Sequence, residues 1–344
     1  MRALNRILIG SLLSGISALS FANEVQILPA ATTGTASPPE VYLSGEITDA
    51  TVAQLSALIT AKNLHGAVVY LDSAGGDPQA GMDLGELIRR SSMNTAVGRP
   101  GASSGHPAAG KCMSACVLTY AGGKFRFIDS ASQIGIHRFY RRTALATDLD
   151  VAQIFSAAIT SYLIKMGVAP ALFQRMVQVG RGQMQLLSHS DAVQLNLVNN
   201  GVLPADWEIE GKQGSVFLVG RQQTMNGYGK ILMSCAPNQR VKVSALWDAG
   251  DNKTFITRNS KAYSLRINQQ FLPIGQLQAK PSISGDYVLA SFIADDNMLW
   301  SLSGAEQIGF GFHTGEANTF FGFLLDATGK QDLIRSWIKH CSER

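Results

Sequence analysis

The sequence predicts an α/β domain with parallel strands, followed by a smaller β-rich domain. Three observations carry that prediction. Short apolar strands alternate with helical stretches through the first half of the chain, as expected where helices cover a parallel sheet. Ala67-Val-Val-Tyr-Leu71 is a continuous apolar run, which marks a strand covered on both faces. Beyond Leu203-Pro204 the helical periods stop and glycine-punctuated strand patterns take over.

Residues 1–22 read as an export signal. Arg2 and Arg6 precede the apolar run Ile7 to Phe21, and Ser20-Phe21-Ala22 provides a small-residue cleavage site after Ala22. Ala30 to Pro39 is rich in Ala, Thr, Gly, Ser and Pro with no apolar period, so residues 23–39 read as a flexible leader.

The α/β domain is expected over residues 40–203. It begins with strand Val41 to Ser44, helix Ala50 to Ala61 behind Asp49 as a cap, strand Ala67 to Leu71 and helix Gln79 to Arg90. A Gly/Ser/Pro-rich loop, Gly98 to Gly110, leads to an apolar helix over Ala115 to Ala121. Strands Phe125 to Ile128 and Gln133 to His137 follow, then helical stretches Leu149 to Lys165, Ala169 to Val179 and Ser190 to Leu195, and a short strand Leu197 to Val202.

The β-rich domain is expected over residues 204–344. Ser215 to Val219, Lys230 to Cys235, Val241 to Trp247 and Thr254 to Thr257 read as strands, and Gln307 to Phe312 with Thr319 to Leu325 as a hairpin. A final helix carries Leu333, Ile334, Trp337, Ile338 and Cys341 on one stripe. The aromatics Trp247, Trp300, Phe310, Phe312, Phe320 and Phe321 are expected in the core first, and a ligand face second.

At 344 residues and 46% apolar composition the chain can bury two cores. The formal charge of +4 falls by two when Arg2 and Arg6 leave with the signal, and no Lys/Arg run follows a phosphate backbone, so nucleic acid is not an implied partner. No later segment approaches the ~20 apolar residues a membrane span needs, so a periplasmic or secreted protein is expected. Four cysteines in an oxidising compartment allow three connectivities. The expected pairs are Cys112 with Cys116, whose helical spacing puts their Cα atoms about 6 Å apart, and Cys235 with Cys341. The rival readings are isolated buried thiols, disfavoured after export, and a reactive Cys112/Cys116 pair beside Ser114. The histidines and cysteines show no zinc spacing, so no metal and no cofactor are implied.

Acyl transfer at serine needs a nucleophile, a base in hydrogen-bond reach, and backbone donors aimed at the developing oxyanion. Gly75-Gly76 follows the buried strand directly, where open α/β sheets bind ligands, and Gly76 N–H is the candidate donor; the ordinary alternative is a plain strand-to-helix turn. Ser114 stands where an apolar helix begins, so Ala115 N–H is a second candidate donor. His137 closes a strand and is the candidate base, although a lone strand-end histidine is more often structural. Lys111, three residues from Ser114, reads as a solvated cation ahead of the alternative, a lysine base. Gly105 to Lys111 fits most of a phosphate loop but ends in Cys112 where Ser or Thr is required, and is rejected.

Taken in order, these motifs resemble the Clp-type serine peptidases and their wider crotonase-like fold. Ser73-Ala-Gly-Gly76, four residues, then Gly81-Met82 match the family's glycine turn and following helix; Ser114 and His137 match its serine and histidine. Leu187-Ser188, Ala192-Val193 and Leu197-Val198 are similar to its closing elements, so the resemblance covers roughly Val41 to Val202. It implies a crotonase-like domain, peptide or ester hydrolysis by Ser114 and His137, a peptide or protein substrate, and a homo-oligomer. Two departures stand out. The loop before Ser114 is long, and Met184 occupies the place of the family's catalytic aspartate. Methionine cannot hold an imidazole tautomer, so the reading is a Ser-His dyad, a third member recruited from Asp148 or Asp150, or a fold that has lost catalysis and binds instead. Asp148 and Asp150 also fit as caps of the next helix, and Asp191 sits in a similar helix-start setting. Coenzyme A thioester chemistry follows from fold analogy alone.

Overall fold

A computed structural model describes residues 24–28, 39–101, 106–139, 148–180, 182–212, 214–315 and 320–343, with the side chains of 24–28 and 148–150 outside the description. The export signal therefore lies outside the described residues. The chain divides into two compact units, one ending at Val198 and the other starting at Asn199. It is a mixed α/β protein with a largely parallel sheet in the first unit and antiparallel sheets in the second.

The first unit runs β1 (Glu24–Leu28), β2 (Glu40–Ile47), α1 (Asp49–Lys62), β3 (Val68–Gly76), α2 (Pro78–Arg90), β4 (Asn94–Val97), β5 (Lys111–Met113), α3 (Ala115–Ala121), β6 (Arg126–Ile128), β7 (Gln133–Ile136), α4 (Asp148–Lys165), α5 (Ala171–Gln178), β8 (Gln185–Leu186) and α6 (His189–Gln194). β2, β3, β5 and β7 are parallel neighbours, and β8 closes the edge antiparallel to β7. β3 forks: Val68 to Leu71 pairs with β4, whereas Ser73 pairs with Cys112 of β5. The apolar run supplies the reason for its central place, since Val69 and Leu71 are fully buried, and each such side chain contributes about 1.5–3 kcal/mol on leaving water. α2 and α3 add Leu84, Ile88, Val117 and Leu118 to the same core.

Arg126, 3% exposed, closes the end of this unit by donating to the carbonyl oxygens of Gly123, Met166, Asn196 and Leu197. Burial, and then the neighbouring Arg89, pull its guanidinium down to about 10. Because Asn196 and Leu197 wrap around this cation, the strand expected over Leu197 to Val202 is a turn with one bridge, Val202 to Thr224.

Other local expectations are corrected in the same way. Part of the segment read as a flexible leader is β1, which pairs antiparallel with β2 through backbone bonds that composition does not reveal. Thr48, not Asp49, stands at the cap of α1, its N–H donating to Thr51 Oγ1 at 3.2 Å. β4 and β5 interrupt stretches with no strand expectation, because each is only three or four residues long.

The second unit holds β9 (Asp206–Lys212), β10 (Ser215–Thr224), β11 (Gly227–Ala236), β12 (Arg240–Asp248), α7 (Lys253–Asn259), β13 (Ala262–Ile267), β14 (Gln270–Ile274), β15 (Ser282–Ser284), β16 (Tyr287–Ile293), α8 (Asp296–Ser303), β17 (Gln307–His313), β18 (Phe320–Asp326) and α9 (Gln331–Ser342). One sheet has the order β15-β16-β12-β11-β10-β9, the other β14-β13-β17-β18. Thr254 to Thr257, expected as a strand from its β-branched residues, belongs to α7; Thr257 Oγ1 donates back to Lys253 O at 2.8 Å, an internal helix bond open to threonine. Trp247, Phe310 and Phe312 are buried in the core, while Trp300 is 78% exposed. The Cys235–Cys341 disulfide ties β11 to α9. Among the described residues, no helix is long and apolar enough to cross a membrane.

Candidate functional site

The parallel register of β5 and β7 sets the site. Met113 pairs with Gly135, so Ser114 and His137 leave adjacent strands at nearly the same level. Ser114 N–H donates to Gly135 O at 2.9 Å, and His137 Nε2 and Ser114 Oγ are hydrogen-bonded at 2.7 Å. Ser114 is 9% exposed.

The backbone at Ser114 is unusual. Its φ of 57° and ψ of −123° lie in the positive-φ region that L residues rarely occupy, a conformation costing about 1–3 kcal/mol and concentrated at functional sites. It lies at the turn between β5, which ends at Met113, and α3, which begins at Ala115. Ala115 is the first residue of α3, where a helix N–H has no intrahelical acceptor.

The glycine turn lies against this corner. A side chain at Gly75 would place its Cβ 2.8 Å from Ser114 Cβ and 2.9 Å from Met113 O, and its φ is 107°. Gly75 therefore sets how closely the turn approaches the serine. Gly76, at φ 153°, lies against the Ile47 backbone instead. Ser73 Oγ fixes the turn from within, accepting from Gly75 N–H at 3.0 Å and donating to Gly45 O at 2.5 Å. Gly75 was legible only as half of a glycine pair.

On the far side of His137, β8 pairs Leu186 with Gly135 and Gln185 with Ile136. Continuing that register puts position 184 opposite His137 on the same face of the sheet. The Met184 thioether packs beside Gly135, where any Cβ would collide with the sulfurs of Met113 and Met184. Met184 also lines a cleft of about 600 Å³ with Gln178, Val179, Gln183 and Gln185. Arg138 Nε donates to Val179 O at 3.1 Å, anchoring the residue after His137 to the same wall.

The remaining expected residues fall as follows. Asp148 and Asp150 lie in the first turn of α4, with their side chains outside the described residues. Cys112 and Cys116 form a disulfide around Ser114. Lys111 is exposed, and its N–H donates to Asp72 Oδ1 at 2.9 Å. Asp191 is paired with Arg175 at 2.6 Å and accepts from Ser188, which holds its carboxyl below the usual range. Among the described residues no group of His, Cys, Asp and Glu is placed to hold a metal ion.

No protein-family model matches this chain, and no curated protein sequence matches it. Among solved structures, it is similar to a mutant of the 1510-N membrane-bound stomatin-specific protease, with a TM-score of 0.34 and 16% identity, over 46% of this chain and 75% of that one.

Proposed function

We propose that this chain is an exported serine hydrolase, acting on peptides in the periplasm or outside the cell from a crotonase-like, Clp-type domain. The observation that carries the reading is the Ser114–His137 hydrogen bond at 2.7 Å made from a positive-φ corner. In this mechanism Ser114 Oγ attacks the substrate carbonyl carbon as its proton passes to His137 Nε2. The carbonyl π electrons move to oxygen, and the oxyanion accepts from the N–H groups of Gly76 and Ala115. His137 then gives the proton to the leaving amine as the C–N bond breaks. Water repeats the sequence on the acyl-enzyme and restores Ser114. The third member is absent or comes from Asp148 or Asp150, and a homo-oligomer is part of the proposal.

A second reading has its own observation. The β7–β8 register, carried one step beyond Ile136 and Gln185, sets Met184 opposite His137, where an orienting carboxylate would stand, and this favours a protein that keeps the fold and binds without cleaving. A fluorophosphonate probe applied to the mature protein and to its Ser114→Ala variant separates the two. Labelling that requires Ser114 supports the hydrolase; equal labelling of both, or of neither, overturns it.

A further inference from the structure

We infer that the Cys112–Cys116 disulfide is a permanent positioning staple that holds Ser114 in its positive-φ conformation, and not a redox switch. The inference rests on the reading of Ser114 as nucleophile and goes beyond it by assigning the residues that fix its geometry. Ser114 is the middle residue of the five that the bond encloses, with Cα atoms 5.2 Å apart at its ends.

Each end is anchored in a different element. Cys112 lies in β5 and is paired with Ser73 on one side and Ile134 on the other, so its backbone is fixed by the sheet. Cys116 is the second residue of α3, a helix whose seven residues are all buried. The cross-link therefore joins strand and helix across the corner. A non-glycine residue at φ 57° and ψ −123° gains by relaxing toward an ordinary region. Relaxation here separates β5 from the first turn of α3, and the sulfur bridge forbids that separation. It thereby keeps Oγ at His137 Nε2 and keeps Ala115 N–H beside it.

Burial argues for permanence. Both Cys112 and Cys116 are 0% exposed, whereas the other disulfide has one buried end, Cys341 at 0%, and one partly exposed end, Cys235. Thiol exchange requires a thiolate to reach one sulfur in line. A dithiol added to the folded protein accordingly reduces Cys235–Cys341 first and leaves the bond around Ser114 intact.

The test compares Cys112→Ala/Cys116→Ala with Cys235→Ala/Cys341→Ala, which also loses one disulfide. Two readouts are taken on protein shown to be folded by circular dichroism: the rate of fluorophosphonate labelling, and the Ser114 13Cα and 13Cβ shifts, which report φ and ψ. The first pair is expected to label about a hundredfold more slowly, the cost of a displacement near 1 Å, with moved Ser114 shifts. The second is expected to melt earlier yet keep the wild-type labelling rate and shifts. Should the alanine pair not fold, Cys112→Val/Cys116→Ala, which restores core volume, is read in its place. Unmoved shifts with wild-type labelling in the first pair overturn the staple. Absence of Ser114-dependent label in the wild type sinks the hydrolase reading alone, because the shifts still decide the staple.

Discussion

Ser114 meets His137 at 2.7 Å in the first unit, and Ser264 meets His313 at 2.8 Å in the second. The side-chain chemistry is the same, but the backbones are not. Ser264 sits in the interior of β13, paired with Pro273 of β14 on one side and Gly311 of β17 on the other. It is 3% exposed, and Phe271 and Phe320 crowd its histidine at ring distances of 5.6 and 6.0 Å. Ser114 instead occupies a strained corner at a helix start, with a glycine turn against it. A serine–histidine hydrogen bond is thus weak evidence of catalysis by itself. What separates the pairs is the backbone: a positive-φ corner at a helix start with a glycine turn against it on one side, the interior of a paired strand on the other.

The sharpest break of this contrast is serine removal. Ser114→Ala should abolish fluorophosphonate labelling, while Ser264→Ala should leave it unchanged; labelling lost in the second variant would reverse the assignment. Next comes the glycine turn. Gly75→Ala should slow labelling about a hundredfold by pushing the Ser114 corner away from His137, measured as a rate on folded protein. Met184→Asp should raise ester hydrolysis at least about tenfold, since an oriented imidazole is the better base; no gain would count against position 184 facing His137.

Smaller effects belong to the second pair. Ser264→Ala should cost about 1 kcal/mol in chemical denaturation, the net worth of one hydrogen bond. Desolvation holds the His313 imidazole below its ordinary value of 6.5. A base depressed on folding binds more protons unfolded, so stability contributed by neutral His313 is present above pH 6.5 and is lost as pH falls below it. His313→Gln should flatten that acid-side loss in melts taken across the range.

Much of the first unit was legible because its signals are local. Ala67 to Leu71 reads as buried strand from its unbroken apolar character, and α3 has the bounds expected from Ala115 to Ala121. The second unit was legible only in part. Its hairpin around residue 313 was expected, but β9, β13, β14, β15 and β16 were not, because these strands are short and several mix polar residues such as Asp206, Glu208, Ser264, Arg266, Gln270 and Ser282 into the run. Thr254 to Thr257 shows the limit of propensity: threonine and isoleucine favour strands, yet α7 forms where Ile256 alone reaches the core.

The sequence by itself determined the ingredients of the site and their order: a glycine pair after a buried strand, a serine before an apolar helix, a histidine at a strand end. These follow from short-range rules of turn and strand formation. Only the tertiary structure decided that they meet. The fork of β3 brings the glycine turn beside β5, and the register of β5 against β7 carries Ser114 to His137. Strand pairing over long separations is fixed by the packing of the whole sheet, and no stretch of the chain encodes it alone. The same holds for the backbone angle at Ser114, which lies where strand, helix and glycine turn come together and which local sequence does not announce.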